Sequence, residues 1–364
     1  MNASLLRRIG VWAAVFAVLL ALPFFFQAFQ VEQMATWICI AIAACGLNLL
    51  TGYNGQISVG HGALFGTGAY ATAILMTQPD PEKNQIGFGL PMLPSVLIAV
   101  AICFVVGIVI GLPALRIKGL YLALVTLAVA VLFPLAIEQF SGLTGGGGGL
   151  SITTPQTNSR GSVVYRKIAF SETFGLKSDQ VRYYLFLAVA VFCFVLTRNL
   201  VKSRMGRSLV AIRDNETAAA VSGVPVSTVK ILVFGISSAF AGVGGALFAL
   251  NNAQVNPTSF TILASIYFLV AVVVGGPSSI IGPALGAAFY GIFTDMIAPK
   301  FPEAYKGATP IILGAVLILL MFFAPGGLVG LYKTTMAKRA GKGARAAGGP
   351  AVVPSAFAAE QLAP

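Results

Sequence analysis

Charge is what this 364-residue chain has least of: 9% of its residues are Asp, Glu, Lys or Arg, against 57% hydrophobic, and mean hydropathy is +0.88. Soluble domains carry about 25% charged residues, which excludes the ordinary water-soluble classes and leaves a polytopic membrane protein. Histidine occurs once, as His61, and no set of His, Cys, Asp and Glu has metal-ligand spacing, so no metal and no cofactor is expected. The four cysteines (Cys39, Cys45, Cys103 and Cys193) all lie inside apolar runs and read as small buried hydrophobes. A nucleotide-binding loop is also missing. The five-glycine run in LTGGGGGL (143–150) is followed by no Lys-Ser or Lys-Thr pair, so the chain is not expected to be an enzyme that hydrolyses ATP by itself. The same run reads as a flexible turn with little propensity for helix or strand. Glu138, Asp295 and Lys230 fall near the ends of apolar runs rather than deep inside them. That leaves no carboxylate chain for a proton relay and weighs against an ion-driven carrier.

What the chain does have is apolar stretches at 9–29, 34–50, 57–76, 92–112, 119–138, 182–200, 228–250, 260–275, 280–298 and 308–324. Each is near the ~20 residues a helix needs to cross the hydrocarbon, which gives an all-α membrane protein of about ten spans. The glycine-rich 57–76, the short 260–275 and the neighbouring 280–298 are candidates for broken or re-entrant helices, which survive only where protein or a cavity surrounds the backbone. Residues 1–332 are read as one membrane domain, with a long outer loop at 139–181. After Pro325 the chain turns basic and rich in alanine and glycine, and 333–364 is expected to be a disordered tail. Arg7 and Arg8 precede the first run, which lacks a small-residue cleavage site and is expected to be retained as a helix.

The net charge of +12 comes from basic residues in short loops and tails, which does not fit nucleic acid and does fit membrane orientation. With the N-terminus inside, fifteen of the 23 Lys and Arg residues fall in the cytoplasm, and both termini are expected there. That places the polar stretch 198–230 on the cytoplasmic side. Within it Asp214 is the expected N-cap, Glu216 suits the positive helix end, Ala218 to Ala220 favour helix, and Gly223 with Pro225 ends it. A helix of about two turns is too short to stand in water, so it must dock. Its small side chains suit a partner's groove better than a lipid surface, although the arginines before it could contact either.

A second polar concentration comes just before and within the third run: Asn48, Thr51, Asn54, Gln56, Ser58, His61 and Tyr70. It reads either as the lining of a polar solute's path or, for His61, as a packed junction where the ring satisfies a neighbour's backbone. Small-residue pairs four apart (Gly62 with Gly66, Gly107 with Gly111, Gly282 with Gly286) are expected helix-packing contacts.

Several blocks together resemble the membrane-spanning permease subunits of branched-chain amino acid ABC importers, of the LivM type. They are GLNLLTGYNGQISVGHGALFGTGAYATAIL (46–75), LRIKGLYLALVTLA (115–128), LTGGGGGL (143–150), GRSLVAIRDNETAAAVSGVPVSTVKILVFGISSAFAGVGGALFA (206–249), VVGGPSSIIGPALGA (273–287) and ILGAVLILLMFFAPGGLVGL (312–331). The resemblance implies that Glu216, Ala218, Ala219 and Gly223 occupy the motif that engages an ATPase subunit, with Arg213 grouped beside them. The motif departs from the family pattern in reading Glu-Thr-Ala-Ala and in lacking a later Leu-Pro pair. The family's C-terminal Pro-Arg-Gly is Pro325-Gly326-Gly327 here. The implied fold resembles other many-spanned importer permeases. The implied partners are a related second permease subunit, two cytoplasmic ATPases, a periplasmic or lipid-anchored solute-binding protein and membrane lipid, in a bacterial inner membrane. Leucine, isoleucine and valine are the leading solutes. The rival reading is a stand-alone secondary carrier for a small amino acid-like or amide solute; a channel is a third.

Overall fold

The computed structural model describes residues 3–79, 86–113, 120–157, 163–167, 177–302, 309–324, 326–332 and 334–335. Arg116, Lys118, Pro325 and nearly all of the basic tail lie outside them. The chain forms α1 (Ala3–Phe25) and α2 (Ala28–Leu47), the latter continuing as a π-helix over Asn48–Tyr53, then α3 (His61–Met76), α4 (Met92–Gly111) and α5 (Leu120–Gln139). There follow α6 (Ser178–Lys202), α7 (Arg204–Asp214), α8 (Glu216–Val221) and α9 (Val226–Asn252). Last come α10 (Ile262–Gly275), α11 (Gly282–Gly291) with a π continuation Ile292–Ile297, and α12 (Thr309–Phe323). Every apolar stretch read from the sequence thus carries a helix. A helix satisfies its own backbone, the one requirement that hydrocarbon imposes without exception.

Six helices among the described residues are long and apolar enough to cross a membrane. They divide by burial. The α2 span is 72% buried and α9 67%, whereas the windows in α4, α5, α6 and the α12 region are 17–28% buried. Two central helices therefore stand inside a shell whose outer side chains, such as Leu93, Val105, Leu132, Ile318 and Phe322, are exposed. Close approach at the centre depends on glycine. A Cβ on Gly68 would sit 2.5 Å from the Gly242 carbonyl oxygen, and one on Gly245 would run into the Phe65 carbonyl, so α9 and α3 touch backbone to backbone.

Polar contacts gather at the ends of the bundle. At one end Arg182 Nη2 lies 2.9 Å from Asp179 Oδ1 and 4.0 Å from Glu32 Oε2, and its Nη1 donates to the Asn251 carbonyl at 3.3 Å. This ties the starts of α6 and α2 to the end of α9. Tyr183 and Tyr184 donate to the Leu19 and Leu20 carbonyls of α1 at the same end.

The five-glycine run is ordered, contrary to expectation. A short helix Ser141–Thr144 and a 3-10 turn Gly146–Gly148 lead into Leu150–Ser151, which pairs antiparallel with Gln254–Val255. Thr144 Oγ1 donates to the Ile137 carbonyl at 2.6 Å, and Leu150 and Val255 are fully buried. Composition misleads here because left-handed φ at Gly145, Gly146 and Gly149 (73°, 57° and 72°) is what folds the segment tightly onto the bundle. A second antiparallel pair, Thr153–Thr157 with Val163–Lys167, follows.

Candidate functional site

The polar junction begins where α2 loses α-helical geometry. The π segment Asn48–Tyr53 runs into an irregular stretch, and α3 starts at His61. The backbone of this break is well supplied: Gln56 N–H donates to the Leu50 carbonyl at 3.0 Å, Val59 N–H to Thr126 Oγ1 at 3.0 Å, and Gly62 N–H to Ser265 Oγ at 2.8 Å. Its side chains are not. Asn54, Gln56, Ser58 and His61 are buried, yet among the described residues both amide atoms of Asn54, Oε1 of Gln56, Oγ of Ser58 and both ring nitrogens of His61 complete no hydrogen bond. The Ala43 backbone lies close beside the His61 ring, as the packed-junction reading expects, although neither ring nitrogen meets hydrogen-bond geometry with it. A buried polar atom left without a partner costs about 1–3 kcal/mol, so four such residues in eight positions make the break a candidate for binding a polar group.

Of the residues singled out from the sequence, these four share the break. Asn48 faces the α10–α11 turn instead, donating to the Ser279 carbonyl at 2.8 Å and accepting from Ser278 N–H at 3.0 Å. Thr51 bonds back to Leu47 in its own helix, and Tyr70 reaches the Val255 carbonyl at 3.3 Å, away from the break. Beside the junction stands an aromatic cluster that the sequence reading missed. Phe65 lies 5.0 Å from Phe268 and 6.0 Å from Phe260, and His61 meets Phe268 edge-on at 6.4 Å. These rings come from α3, α10 and the turn before α10, and no spacing rule links them. A crevice lined by Ser58, Gly60, Leu64, Ile110, Thr126, Val129 and Phe234 is too narrow to admit a water.

The second site is the short helix. Its cap is Asn215 rather than Asp214: Asn215 Oδ1 accepts from Ala218 N–H at 3.0 Å. Asp214 ends α7, and its carboxylate is engaged by the Arg213 guanidinium at 3.0 Å, which removes it from capping. The helix closes at Gly223, whose φ is 83° and whose N–H donates to the Ala220 carbonyl at 3.0 Å. Glu216 does not point freely outward. Its Oε1 lies 2.8 Å from Lys230 Nζ in the first turns of α9, and the Lys230 side chain is only 7% exposed. Ala219 is buried beside the same helix. What faces outward is Thr217, Ala218, Ala220, Ser222, Gly223 and, most openly, Val221 at 86% exposure.

The Gly282–Gly286 pair lies against α10, where a Cβ on Gly286 would run into the Ala271 carbonyl; Gly62 meets Ser265, and Gly66 meets Phe133 and Phe260. Three comparisons bear on what such an arrangement serves. A family model described as branched-chain amino acid transport system / permease component matches residues 30–324. The chain is 30% identical over 328 residues to the high-affinity branched-chain amino acid transport system permease protein LivM of Escherichia coli, covering 87% of this chain and 73% of that protein. It is 28% identical over 341 residues to LivM of Salmonella typhimurium (90% and 76%) and 25% identical over 295 residues to LivH of Escherichia coli (80% and 91%). No solved structure matches significantly.

Proposed function

The chain belongs to the family of branched-chain amino acid transport permease components, and on that premise we propose that it is the membrane-spanning permease subunit of an ATP-driven importer for leucine, isoleucine and valine. The observation that carries this reading is the extent of the family match, which runs through both the polar junction and the docking helix. The solute arrives from a binding protein, passes the Asn54–His61 stretch, and leaves on the cytoplasmic side. A related second permease subunit, two cytoplasmic ATPases and a periplasmic or lipid-anchored binding protein complete the machine. Likeness to both LivM and LivH supports the pairing of two related permeases, since those two names belong to distinct chains of one kind of system.

Both termini and α7–α8 face the cytoplasm, with residues 1–332 forming the permease and 333–364 a basic tail. The outward face of α8, from Thr217 to Gly223, is the surface that meets an ATPase. Ala218 and Gly223 contribute to it directly, while Arg213, Glu216 and Ala219 hold the helix in place. Asn54, Gln56, Ser58 and His61 line the path, because a polar solute supplies the hydrogen bonds that these side chains lack. The test is leucine uptake into vesicles holding the complete assembly, with ATP inside and all ion gradients collapsed. ATP-dependent accumulation is expected. Uptake that stops when the gradients are removed would instead establish an ion-driven carrier.

A further inference from the structure

The turn between α10 and α11 contains a strained non-glycine residue. Ser278 sits at φ 59°, a left-handed conformation that L side chains adopt rarely and that persists where surrounding contacts over-determine it. Those contacts are present. Ser278 N–H donates to Asn48 Oδ1 at 3.0 Å, its hydroxyl donates to the Gly52 carbonyl at 2.6 Å, and the same hydroxyl oxygen accepts from Arg213 Nη1 at 2.8 Å. Arg213 Nη1 also donates to the Gly52 carbonyl, at 3.2 Å. Three stretches distant in sequence meet at one point: the π continuation of α2, the end of α7 and the α10–α11 turn.

Two glycines make room for this knot. A Cβ on Gly52 would lie 2.7 Å from Ser278 N and run into Asn48 Oδ1, and one on Gly55 would lie 2.8 Å from Arg213 Cγ. The stem of Arg213 therefore crosses the backbone that opens the unsatisfied stretch Asn54–His61. Arg213 is also only two residues from Asn215, the cap of α8, so a displacement of α8 must move it. The Lys230–Glu216 pair cannot report such a displacement in the same way. It joins α8 to the helix that follows it and lies deep, with Lys230 7% exposed, whereas the Arg213 side chain is 36% exposed and its contacts can break and re-form in water.

We infer that Arg213 and Ser278 are positioning residues that link the docking helix to the polar junction. Arg213, carried at the end of α7, pins the α10–α11 turn against Gly52 and holds the junction shut. Withdrawal of Arg213 releases Ser278 from its left-handed conformation and frees the turn to move away. This rests on the permease reading above and adds to it the route by which a push on α8 reaches the solute path.

The test uses the complete transporter in proteoliposomes with leucine as solute, reading leucine moved per ATP hydrolysed. Arg213→Ala removes the donor. Ser278→Gly removes the hydroxyl while leaving a residue that takes a φ of 59° without strain, which guards against simple misfolding. Loss of a charge-assisted hydrogen bond corresponds to a drop of about tenfold in this ratio for each variant. Arg213→Lys should recover part of it, and the Arg213→Ala/Ser278→Gly double variant should be no worse than the poorer single. If the knot is only a staple of the fold, uptake and hydrolysis fall together with the ratio within twofold of the parent, and the inference is wrong. It is equally wrong if the two defects multiply. A parent transporter with no ATP-dependent uptake would overturn the permease reading instead, so the two failures are distinguishable.

Discussion

Removing either end of the Glu216–Lys230 pair should have unequal effects, and the inequality can be worked from the structure. Lys230 Nζ is 2.8 Å from Glu216 Oε1, with Lys230 7% and Glu216 31% exposed. Glu216→Gln leaves an ammonium group buried beside a neutral amide. Breaking a fully buried pair costs about 3–5 kcal/mol, and the partial exposure of Glu216 brings this to about 2–3 kcal/mol. Lys230→Met leaves the carboxylate, which can turn to solvent, and replaces the stem with one of similar shape, so the cost should be about 1 kcal/mol. The double variant should resemble Lys230→Met, because no buried charge is then stranded. Hydrogen exchange at the Ser222, Gly223 and Val224 amides reads this directly, since each donates at 3.0 Å to a carbonyl in α8. Exchange should accelerate by roughly 30- to 150-fold in Glu216→Gln and by less than about tenfold in Lys230→Met. Equal acceleration in the two single variants would refute the reasoning, for it would mean that Lys230 is already solvated.

Further predictions concern the cap, the helix end, the junction and a crossing. Asn215→Ala should destabilise α8 by about 1 kcal/mol and Asp214→Ala by less, compared through the same amides. Gly223→Leu meets open space but a strained φ of 83°, so it should cost about 1–2 kcal/mol, remain in the membrane and lower solute-stimulated ATPase activity; normal stimulation would remove Gly223 from the contact. Ser58→Ala gives up a hydroxyl that has no partner among the described residues, so its thermal midpoint should match or exceed the parent's while leucine uptake falls several-fold; unchanged uptake would take Ser58 off the path. Gly286→Val drives a side chain into the Ala271 backbone and should sharply reduce folded protein in the membrane, measured by size-exclusion recovery.

The helices are legible in the sequence because the bilayer demands long apolar runs, and the helix ends near 76, 111, 139 and 275 fall where glycine, proline or polar residues interrupt those runs. The stop at Gly223 is legible for a similar local reason, since only its backbone permits that φ cheaply. Partnerships across distance are not. Arg182 counts in the sequence as one more outer-side charge, yet it is buried among Glu32, Asp179 and Asn251. Arg213 lies 161 residues from Gly52, and nothing in either neighbourhood announces the other. Asp214 and Asn215 are both good caps by type, and only the guanidinium beside Asp214 decides between them. The glycine run shows the same limit in reverse: local freedom implies a loose turn, while the run closes onto a strand, Leu150–Ser151, whose partner lies a hundred residues later.

The π-turn at Asn48–Tyr53 has a consequence for how this segment can vary in length. A π-turn is a helix carrying one residue more than its turn requires. Deleting one of those six residues would restore α geometry with the chain beyond still in register, because five residues at about 100° each turn the chain about as far as six in the wider π turn. Asn54 and the residues behind it would then stay on the junction. A single-residue deletion at Leu49 or Leu50 should therefore be far less damaging than one in the uninterrupted α-helical part of α2, where everything downstream would rotate by about 100°.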